Sequence, residues 1–259
     1  MERLRDRVVF VTGASSGIGA ACARAFAREG ARLLVAARRQ ARLEALAAEL
    51  GALGAPTVRT LQLDVRDERA VFESIAALPE PWDAIEVLVN NAGLSRGLDP
   101  LQSGSPADWN EMIDTNVKGL LWVDRAVTPG MVARGRGTVI HLGSIAGREI
   151  YPKGNVYCAT KHAVHALTAG LRLDLLGTGV RVTSVDPGLV ETEFSEVRFH
   201  GDLERARGVY RGLTPLSADD VAEVVLFAAT RPPHVNLAEV LLLPTDQGSA
   251  NHVHRAEAP

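Results

Sequence analysis

The stretch VVFVTGASSGIG, residues 8–19, decides the fold class of this chain. An apolar run of strand length leads into a TGxxxGxG turn, and an alanine-rich segment of helix length follows. Glycines in such a turn let the backbone approach a pyrophosphate, and the first N–H groups of the helix add partial positive charge. We expect a dinucleotide to bind here, although a glycine-rich turn without a ligand would have the same pattern. The expected contacts are Gly13, Ser15, Ser16, Gly17, Ile18 and Gly19.

Strand-like and helix-like segments alternate along the rest of the chain. Apolar runs typical of buried strands occupy residues 8–13, 32–37, 61–64, 87–93, 138–144, 181–188 and 239–244. Such alternation builds a parallel sheet with helices on both faces. We therefore predict an α/β protein, a Rossmann-like doubly wound sheet of about seven parallel strands in a single domain over residues 1–259. The least regular segment, about residues 189–212, is the expected substrate loop, because open sheets bind ligands at the carboxyl ends of strands.

Composition argues against several classes of function. Of the 259 residues 23% are charged and the formal net charge is −3, which favours neither nucleic acid nor an anionic membrane as a partner. The longest apolar runs are too short to span a bilayer, and the first residues lack a signal-peptide pattern. Cys22 and Cys158 lie far apart without CxxC spacing. His162, His165 and the histidines at 252–254 have no acid or cysteine to complete a ligand set, so we expect no metal site and a cytoplasmic location.

The end of the second strand indicates which dinucleotide binds. NAD enzymes of this architecture usually carry an acid there, whereas this chain has Ala37 followed by Arg38 and Arg39. A carboxylate repels a 2′-phosphate, and a guanidinium binds it through two charge-assisted hydrogen bonds. The pattern favours NADP (NADPH) over NAD, although either arginine can also be read as a solvated surface charge. Asp64, at the end of the third strand, is expected near the adenine edge.

Tyr157 and Lys161 lie four residues apart on one face of a predicted helix, with Asn155 as its expected cap. A phenol has an ordinary pKa of about 10, and a nearby ammonium or oxidised nicotinamide would lower the pKa of Tyr157 toward the range of a general acid and base. Ser144, at the end of the fifth strand, is placed to hydrogen-bond a substrate carbonyl oxygen. Asn116 supplies an amide that can interrupt a helix and hold a water molecule.

Six separated motifs resemble those of the short-chain dehydrogenase/reductase family, in order and along nearly the whole chain. They are TGASSGIG, NNAG at 90–93, Asn116, Ser144, YCATK at 157–161 and DPG at 186–188. The resemblance implies hydride transfer between C4 of the nicotinamide and a substrate carbinol or carbonyl carbon. It also implies that Tyr157 is the acid and base, that Ser144 orients the substrate oxygen, and that Lys161 binds the nicotinamide ribose while lowering the tyrosine pKa. Asn116 would hold a water that links Lys161 to solvent.

The resemblance implies further cofactor contacts. Asn90, Ala92 and Gly93 would line the adenine side and stabilise the central sheet, and the segment from Pro187 to Thr192 would touch the nicotinamide carboxamide. The implied set is Val65, Asn91, Ala92, Gly93, Pro187, Gly188, Val190 and Thr192.

Four stretches, residues 108–120, 154–161, 177–202 and 234–244, resemble a narrower branch of that family. These are the NADP-dependent serine 3-dehydrogenases, also described as L-allo-threonine or 3-hydroxy acid dehydrogenases. The resemblance implies oxidation of the 3-hydroxyl of a small carboxylic acid of the serine, allo-threonine, 3-hydroxyisobutyrate or 3-hydroxypropionate type, or the reverse reduction. Such a substrate needs an anchor for its carboxylate. Candidate substrate residues are Arg148, Lys153, Asn155 and Arg198.

Other functions stay open at this point. The rim AGREIYPKG, residues 146–154, is more charged than in that branch, and PTDQ, residues 244–247, resembles reductases of larger or cyclic carbonyl compounds. The alternatives are a ketoreductase of 3-oxoacyl thioesters, cyclic ketones or secondary alcohols, and an NADP-sensing regulatory protein without turnover. Family members usually assemble through the helices that carry Asn116 and Tyr157. We therefore expect a homotetramer, which the last strand and the tail after it would join.

Overall fold

Seven parallel strands form one sheet in the part of the chain, residues 4–256, that the computed structural model describes. The strand order is β3-β2-β1-β4-β5-β6-β7. The strands are β1 (Val8–Thr12), β2 (Arg32–Ala37), β3 (Val58–Gln62), β4 (Ile85–Asn90), β5 (Gly137–Leu142), β6 (Val180–Pro187) and β7 (Glu239–Leu242). The predicted doubly wound α/β architecture is confirmed.

Helices cover both faces of this sheet. They are α1 (Gly17–Arg28), α2 (Gln40–Ala52), α3 (Glu68–Ala76), α4 (Pro106–Ile113), α5 (Leu120–Ala133), α6 (Asn155–Asp174), α7 (Phe194–Arg198), α8 (Leu203–Gly208) and α9 (Ala218–Ala229). Residues of α1, α2 and α9 pack on one face, and residues of α3, α5 and α6 pack on the other. No helix within residues 4–256 is long and apolar enough to cross a membrane.

The two apolar cores follow from the period of two in a strand. Val9 and Val11 of β1 point into the core beneath α1 and α9, whereas Val8 and Phe10 point into the core beneath α3 and α5. Every residue of β1 is buried. A strand buried on both faces has a continuous run of apolar residues and not an alternation of apolar and polar ones. This run is why the sequence predicts β1 directly.

The third strand begins earlier than its apolar run suggested. β3 pairs from Val58 to Gln62 with β2, whereas the sequence indicated residues 61–64. β3 is an edge strand, and none of its residues is fully buried. An edge strand needs no continuous apolar run. The polar residues Arg59 and Thr60 therefore lack the sequence pattern that marks a buried strand.

The order of the strands creates the ligand crevice. β1 lies between β2 and β4, so that successive crossovers leave β1 in opposite directions along the sheet. At such a reversal the loops after neighbouring strands separate and leave a groove at their carboxyl ends. The glycine turn after β1 and the loop after β4 therefore face each other across this groove.

The segment predicted as a loop at about 189–212 contains the two short helices α7 and α8. The C-terminal tail, residues 243–256, folds back onto it: the Arg255 guanidinium donates hydrogen bonds to the carbonyls of Val209 and Arg211. The tail also meets the rim before α6, where the Ala250 N–H donates to the Glu149 carboxylate. The tail thus joins the substrate loop to the rim within one chain.

Candidate active site

A cleft of about 470 Å³ opens at the carboxyl ends of the central strands, between the glycine turn, α6, the substrate loop and the C-terminal tail. The predicted site residues that line it are Gly13, Ser16, Gly17, Ile18, Asn91, Ala92, Gly93, Ser144, Tyr157, Lys161, Pro187, Gly188, Val190, Thr192 and Arg198. The chain therefore brings residues from position 13 to position 198 into one space.

The glycine turn has the shape that an anionic ligand requires. Gly13 and Gly17 have φ angles of +64° and +52°, where other residues are strained. A Cβ atom on Gly13 would lie 2.9 Å from the Cα atom of Ala92, and one on Gly19 would lie 2.5 Å from the Gly13 carbonyl oxygen. Side chains here would push the turn away from β4 and from its own helix.

The first turn of α1 leaves its N–H groups accessible to a ligand. Ser16 precedes α1 without a side-chain cap, and its first turn has no acidic residue to neutralise the helix end. The first N–H groups of a helix have no partner inside it and carry partial positive charge. Together with the turn they fit the pyrophosphate of a dinucleotide.

Arg39 lies directly on the glycine turn. Its Nε and Nη2 atoms donate to the Ser15 hydroxyl at 3.1 and 3.0 Å, and Nη2 donates to the Ser16 hydroxyl at 2.7 Å. Arg38 is more exposed, with Nη1 3.8 Å from the Glu111 carboxylate. Both cations stand after β2 where an acid would bind ribose hydroxyls, so this end of the site fits a 2′-phosphate.

Asp64 and Val65 lie beyond the lining of the cleft. Both oxygens of the Asp64 carboxylate accept hydrogen bonds from Arg66, and the pKa of Asp64 is lowered because these bonds outweigh burial, which would raise it. A bond from the Asp64 side chain to adenine would compete with this ion pair. Val65 is buried against Gly119, where a Cβ atom would lie 2.7 Å from a Val65 methyl. Cofactor contacts at Asp64 and Val65 remain predictions.

Lys161 is a buried cation on the floor of the cleft. It lies one turn after Tyr157 on α6, and its Nζ donates to the Leu142 carbonyl at 2.7 Å. Burial lowers the pKa of Lys161 from 10.5 to about 8, and the Asp186 carboxylate opposes that effect. At neutral pH the side chain is protonated, yet it can release its proton under mildly alkaline conditions.

Burial raises the pKa of Tyr157, which is opposite to the expected direction. The Arg198 guanidinium lowers that pKa, and so does the Ser144 hydroxyl, but neither effect outweighs the loss of water. Lys161 was expected to be the cation that favours the phenolate. In the structure Arg198, from the substrate loop, has that effect.

Ser144 is held with its hydroxyl proton available. Its side-chain oxygen accepts a hydrogen bond from the Ala146 N–H at 3.1 Å, at the start of a 3₁₀ turn formed by Ile145–Gly147. Because that bond uses an oxygen lone pair, the O–H can donate to a negatively charged or carbonyl oxygen in the cleft. Ser144 thus has the orientation that a substrate-binding hydroxyl needs.

Asn116 interrupts a helix, as its position in the sequence indicated. It lies in a π-helical turn, Asp114–Gly119, between α4 and α5. Its amide oxygen accepts from the Leu94 N–H at 2.8 Å and its amide nitrogen donates to the Leu94 carbonyl at 2.8 Å. A Cβ atom on Gly93 would lie 3.3 Å from the Asn116 oxygen and 3.8 Å from Lys161 Nζ. The space beside Gly93 therefore borders both side chains, and the water assigned to Asn116 stays a prediction.

The family described as short chain dehydrogenase matches residues 7–202, three quarters of the chain. The chain belongs to the short chain dehydrogenase family. It is 49% identical to the NADP-dependent 3-hydroxy acid dehydrogenase of Salmonella typhi over 251 residues, which are 96% of this chain and 100% of that protein. It is 48% identical to sulfoacetaldehyde reductase 2 of Chromohalobacter salexigens over 241 residues, 93% of this chain and 95% of the relative.

The fold of this short chain dehydrogenase is also similar to a solved structure, the closed form of serine dehydrogenase complexed with NADP⁺. The TM-score is 0.90 at 46% identity, and the match covers 96% of this chain and 99% of the other. Since each of these matches covers 93% or more of this chain, each extends beyond residue 202 into the substrate loop.

Arg148 is not among the residues that line the cleft of this family member, and its role as a substrate anchor stays a prediction. Its guanidinium donates to the Asp186 carboxylate at 2.9 and 2.7 Å and to the Glu239 carboxylate at 2.7 Å. Asp186 is only 1% exposed, so its charge needs a partner inside the protein. Arg148 therefore forms a structural ion pair with Asp186 and Glu239.

The side-chain amide of Asn155 also forms hydrogen bonds within the protein. Gly154 is the residue before α6, so Asn155 is the first helical residue and not the cap. Its amide nitrogen donates to the Asp99 carbonyl at 3.0 Å, and its oxygen accepts from the Val156 N–H at 2.7 Å. Asn155 and Lys153 border a small pocket beside Tyr157, separate from the main cleft.

The structure adds residues that sequence reasoning missed. The Tyr151 hydroxyl oxygen accepts a hydrogen bond from Arg198 Nη2 at 2.8 Å, and Phe194 packs edge-on against Tyr157 with ring centres 5.6 Å apart. Val253 and Arg255 bring the C-terminal tail into the cleft. The aromatic residues flank recognised motifs and could have been noticed there, whereas no motif marks the tail.

Proposed function

We propose that the protein is an NADP-dependent dehydrogenase that interconverts the carbinol and carbonyl of a small 3-hydroxy acid. The observation that carries this proposal is the position of Arg198, a cation that lines the same cleft as Tyr157 and Ser144. Tyr157 and Ser144 would act on the reacting oxygen of the substrate and do not require that the substrate carry a charge. A guanidinium beside them adds a site for a negatively charged part of the substrate.

The chain offers a candidate ligand for each charged part of the dinucleotide and for its nicotinamide ribose. The glycine turn and the α1 N-terminus would hold the pyrophosphate, Arg38 and Arg39 the 2′-phosphate, and Lys161 the nicotinamide ribose. When bound, the nicotinamide accepts or delivers the hydride at C4.

Tyr157 would move the proton of the substrate hydroxyl. In the oxidation direction its oxygen takes that proton, and in reduction it returns the proton to the forming alcohol. Ser144 donates a hydrogen bond to the same substrate oxygen, which holds the oxygen in reach of the phenol. With a pKa of about 8, Lys161 can exchange a proton at near-neutral pH with the water molecule predicted beside Asn116.

Arg198 has the free bonding capacity that an anion anchor requires. Nε donates to the Ser95 hydroxyl at 3.0 Å and Nη2 to the Tyr151 hydroxyl at 2.8 Å. Within residues 4–256 no side chain or carbonyl pairs with Nη1, which leaves one nitrogen for a carboxylate. Two relatives fit this chemistry, because their names specify a 3-hydroxy acid and sulfoacetaldehyde, both of which carry an acid group near the reacting carbon.

A substrate panel with purified enzyme and NADP⁺ or NADPH tests the proposal. We expect turnover with L-serine or 3-hydroxyisobutyrate at a kcat/KM at least tenfold above that with the matching methyl esters, because the ester removes the charge that Arg198 binds. An acetoacetyl thioester with the higher kcat/KM would support the ketoreductase alternative. Tight NADPH binding without turnover of any substrate would support a sensor.

We also propose a cytoplasmic homotetramer that binds no nucleic acid. Large apolar side chains are exposed at the end of α6, where Leu173 and Leu176 are 73% and 82% exposed, and on α9 at Phe227. Apolar patches of this kind favour association. Light scattering after size-exclusion chromatography measures the mass, and a monomer would contradict the proposal.

Two features support the cytoplasm and the absence of a nucleic-acid partner. Cys22 and Cys158 are free thiols, which agrees with a reducing compartment. The net charge of −3 does not favour binding to a polyanion such as nucleic acid.

A further inference from the structure

The Glu193 carboxylate lies between two arginines at the 2′-phosphate end of the site. Its Oε2 accepts a hydrogen bond from Arg39 Nη1 at 3.0 Å, and its Oε1 accepts from Arg42 Nη1 at 2.5 Å. Burial alone would raise the pKa of Glu193, but the bonds from Arg42 and Arg39 lower it, so the side chain is an anion at neutral pH.

Glu193 and the glycine turn together already use the Arg39 donors that a 2′-phosphate would need. Nε and Nη2 of Arg39 are on the Ser15 and Ser16 hydroxyls, and Nη1 is on Glu193. A guanidinium has five N–H donors, and phosphate binds best to two parallel ones. Arg39 cannot offer such a pair to a phosphate without giving up Glu193 or the turn.

We propose that Glu193, which Arg42 also binds, is an internal competitor of the cofactor 2′-phosphate for Arg39, and that it thereby sets the selectivity between NADP and NAD. This inference rests on the proposed function, since it requires that NADP binds at the glycine turn. Binding of NADP then exchanges one anion for another on Arg39. NAD has no 2′-phosphate and leaves the Glu193 contacts in place.

Glu193 belongs to the substrate loop, and this separates it from an ordinary surface ion pair. The residue before it, Thr192, lies against the glycine turn, 3.4 Å from where a Cβ atom on Gly17 would be. The residue after it, Phe194, packs on Tyr157. Glu193 therefore belongs to a segment that contacts both the glycine turn and Tyr157. Arg39, which would bind the phosphate, belongs to the loop after β2.

Calorimetric titration of the full-length protein tests this inference with Glu193→Gln. A control is Glu196→Gln, three residues further on in the first turn of α7 and exposed. The titrants are NADP⁺, NAD⁺, adenosine 2′,5′-bisphosphate and 5′-AMP. We expect Glu193→Gln to bind NADP⁺ and the bisphosphate about fivefold tighter, the effect of two exposed ion pairs worth together about 1 kcal/mol. Affinities for NAD⁺ and 5′-AMP should not change, and the control should match the wild type for all four titrants.

Two results would overturn the inference. One is unchanged or weaker NADP⁺ binding by Glu193→Gln, which would mean that Glu193 orders the arginines for the phosphate instead of competing. The other is equal tightening of NADP⁺ and NAD⁺. A wild-type protein that binds neither dinucleotide would refute the proposed function itself, so the two failures are distinguishable.

Discussion

The Cζ atom of Arg198 lies 5.2 Å from the centre of the Tyr157 ring. The same guanidinium is held in place by Ser95 and Tyr151, residues from two different loops. Arg198 therefore acts on both the acid–base residue and the substrate. It opposes the rise in the pKa of Tyr157 that burial causes, and it presents a free donor to the substrate. The substrate loop delivers this cation, so loop position and acid–base strength are coupled.

Arg198→Gln should reduce kcat/KM for a carboxylate substrate about 10- to 100-fold, the cost of a charge-assisted hydrogen bond. The pKa of Tyr157 should also rise, because the cation that opposes burial is lost, and the alkaline-going limb of the pH–rate profile for oxidation should move to higher pH. Arg205→Gln is the control, since Arg205 lies over Phe199 in the same loop but outside the cleft. Equal effects of both variants would contradict the assignment.

Tyr157→Phe should lower kcat about 100- to 10,000-fold, because proton transfer loses its acid and base. The ring remains, with its packing against Phe194, so the affinity for NADPH should stay within a few fold. Steady-state rates and fluorescence titration measure the two effects separately. Loss of NADPH binding together with activity would show that Tyr157 is primarily structural.

Lys161→Met should make the protein more stable at pH 7 although inactive. The pKa of Lys161 falls from 10.5 in the unfolded chain to about 8, so the unfolded chain binds more protons between these values and wild-type stability rises with pH across that window. Below pH 8 the buried charge costs about 3 kcal/mol, and loss of the Leu142 hydrogen bond costs the variant about 1 kcal/mol.

The resulting advantage of Lys161→Met, about 2 kcal/mol at pH 7, should largely disappear by pH 9.5. Urea unfolding at the two pH values measures it. Our account of the buried ammonium fails if the wild type is the more stable protein at pH 7, or if the difference between the two proteins is independent of pH.

Arg38→Asp and Arg39→Asp should each lower the ratio of NADP to NAD efficiency, by loss of a phosphate contact and addition of repulsion. We expect a change of about 10- to 100-fold, the larger one at Arg39 because that side chain lies on the glycine turn. Arg69→Asp serves as the control, since its partner is Glu73 on α3. A ratio unchanged in both test variants would exclude these arginines as the phosphate ligands.

Arg255→Ala should raise the KM for the substrate several-fold and leave NADPH affinity unchanged. The guanidinium binds two carbonyls of the substrate loop, at Val209 and Arg211, and its removal frees that loop from the tail. Faster hydrogen exchange in residues 203–212 would accompany the kinetic change. An unchanged exchange rate would mean that the tail does not restrain the loop.

Much of the catalytic site was predictable because its residues sit at fixed positions in short motifs. The glycine turn, Ser144 at the end of β5 and the Tyr157–Lys161 pair each follow from local chemistry and helix or strand geometry. Five of the seven strands, β1, β2, β4, β5 and β6, are buried along most of their length, whereas the edge strands β3 and β7 are not.

What could not be predicted depends on contacts between distant parts of the chain. Arg148 looked free because its partners, Asp186 and Glu239, lie 38 and 91 residues away. The direction of the Tyr157 pKa depends on how deeply the fold buries the phenol, which no local pattern encodes. The same holds for Glu193, whose partner Arg39 is 154 residues earlier.

Asp6 and Arg255 lie at opposite ends of the parallel strands. The N–H of Asp6 bonds the carbonyl of Gly30, at the edge where β1 and β2 begin, whereas Arg255 lies on the loop beside the cleft. A bulky label attached at Asp6 therefore lies away from the cleft. The same label attached at Arg255 would disturb the hydrogen bonds that join the tail to the substrate loop, so enzymes labelled at these two positions should differ in apparent substrate affinity.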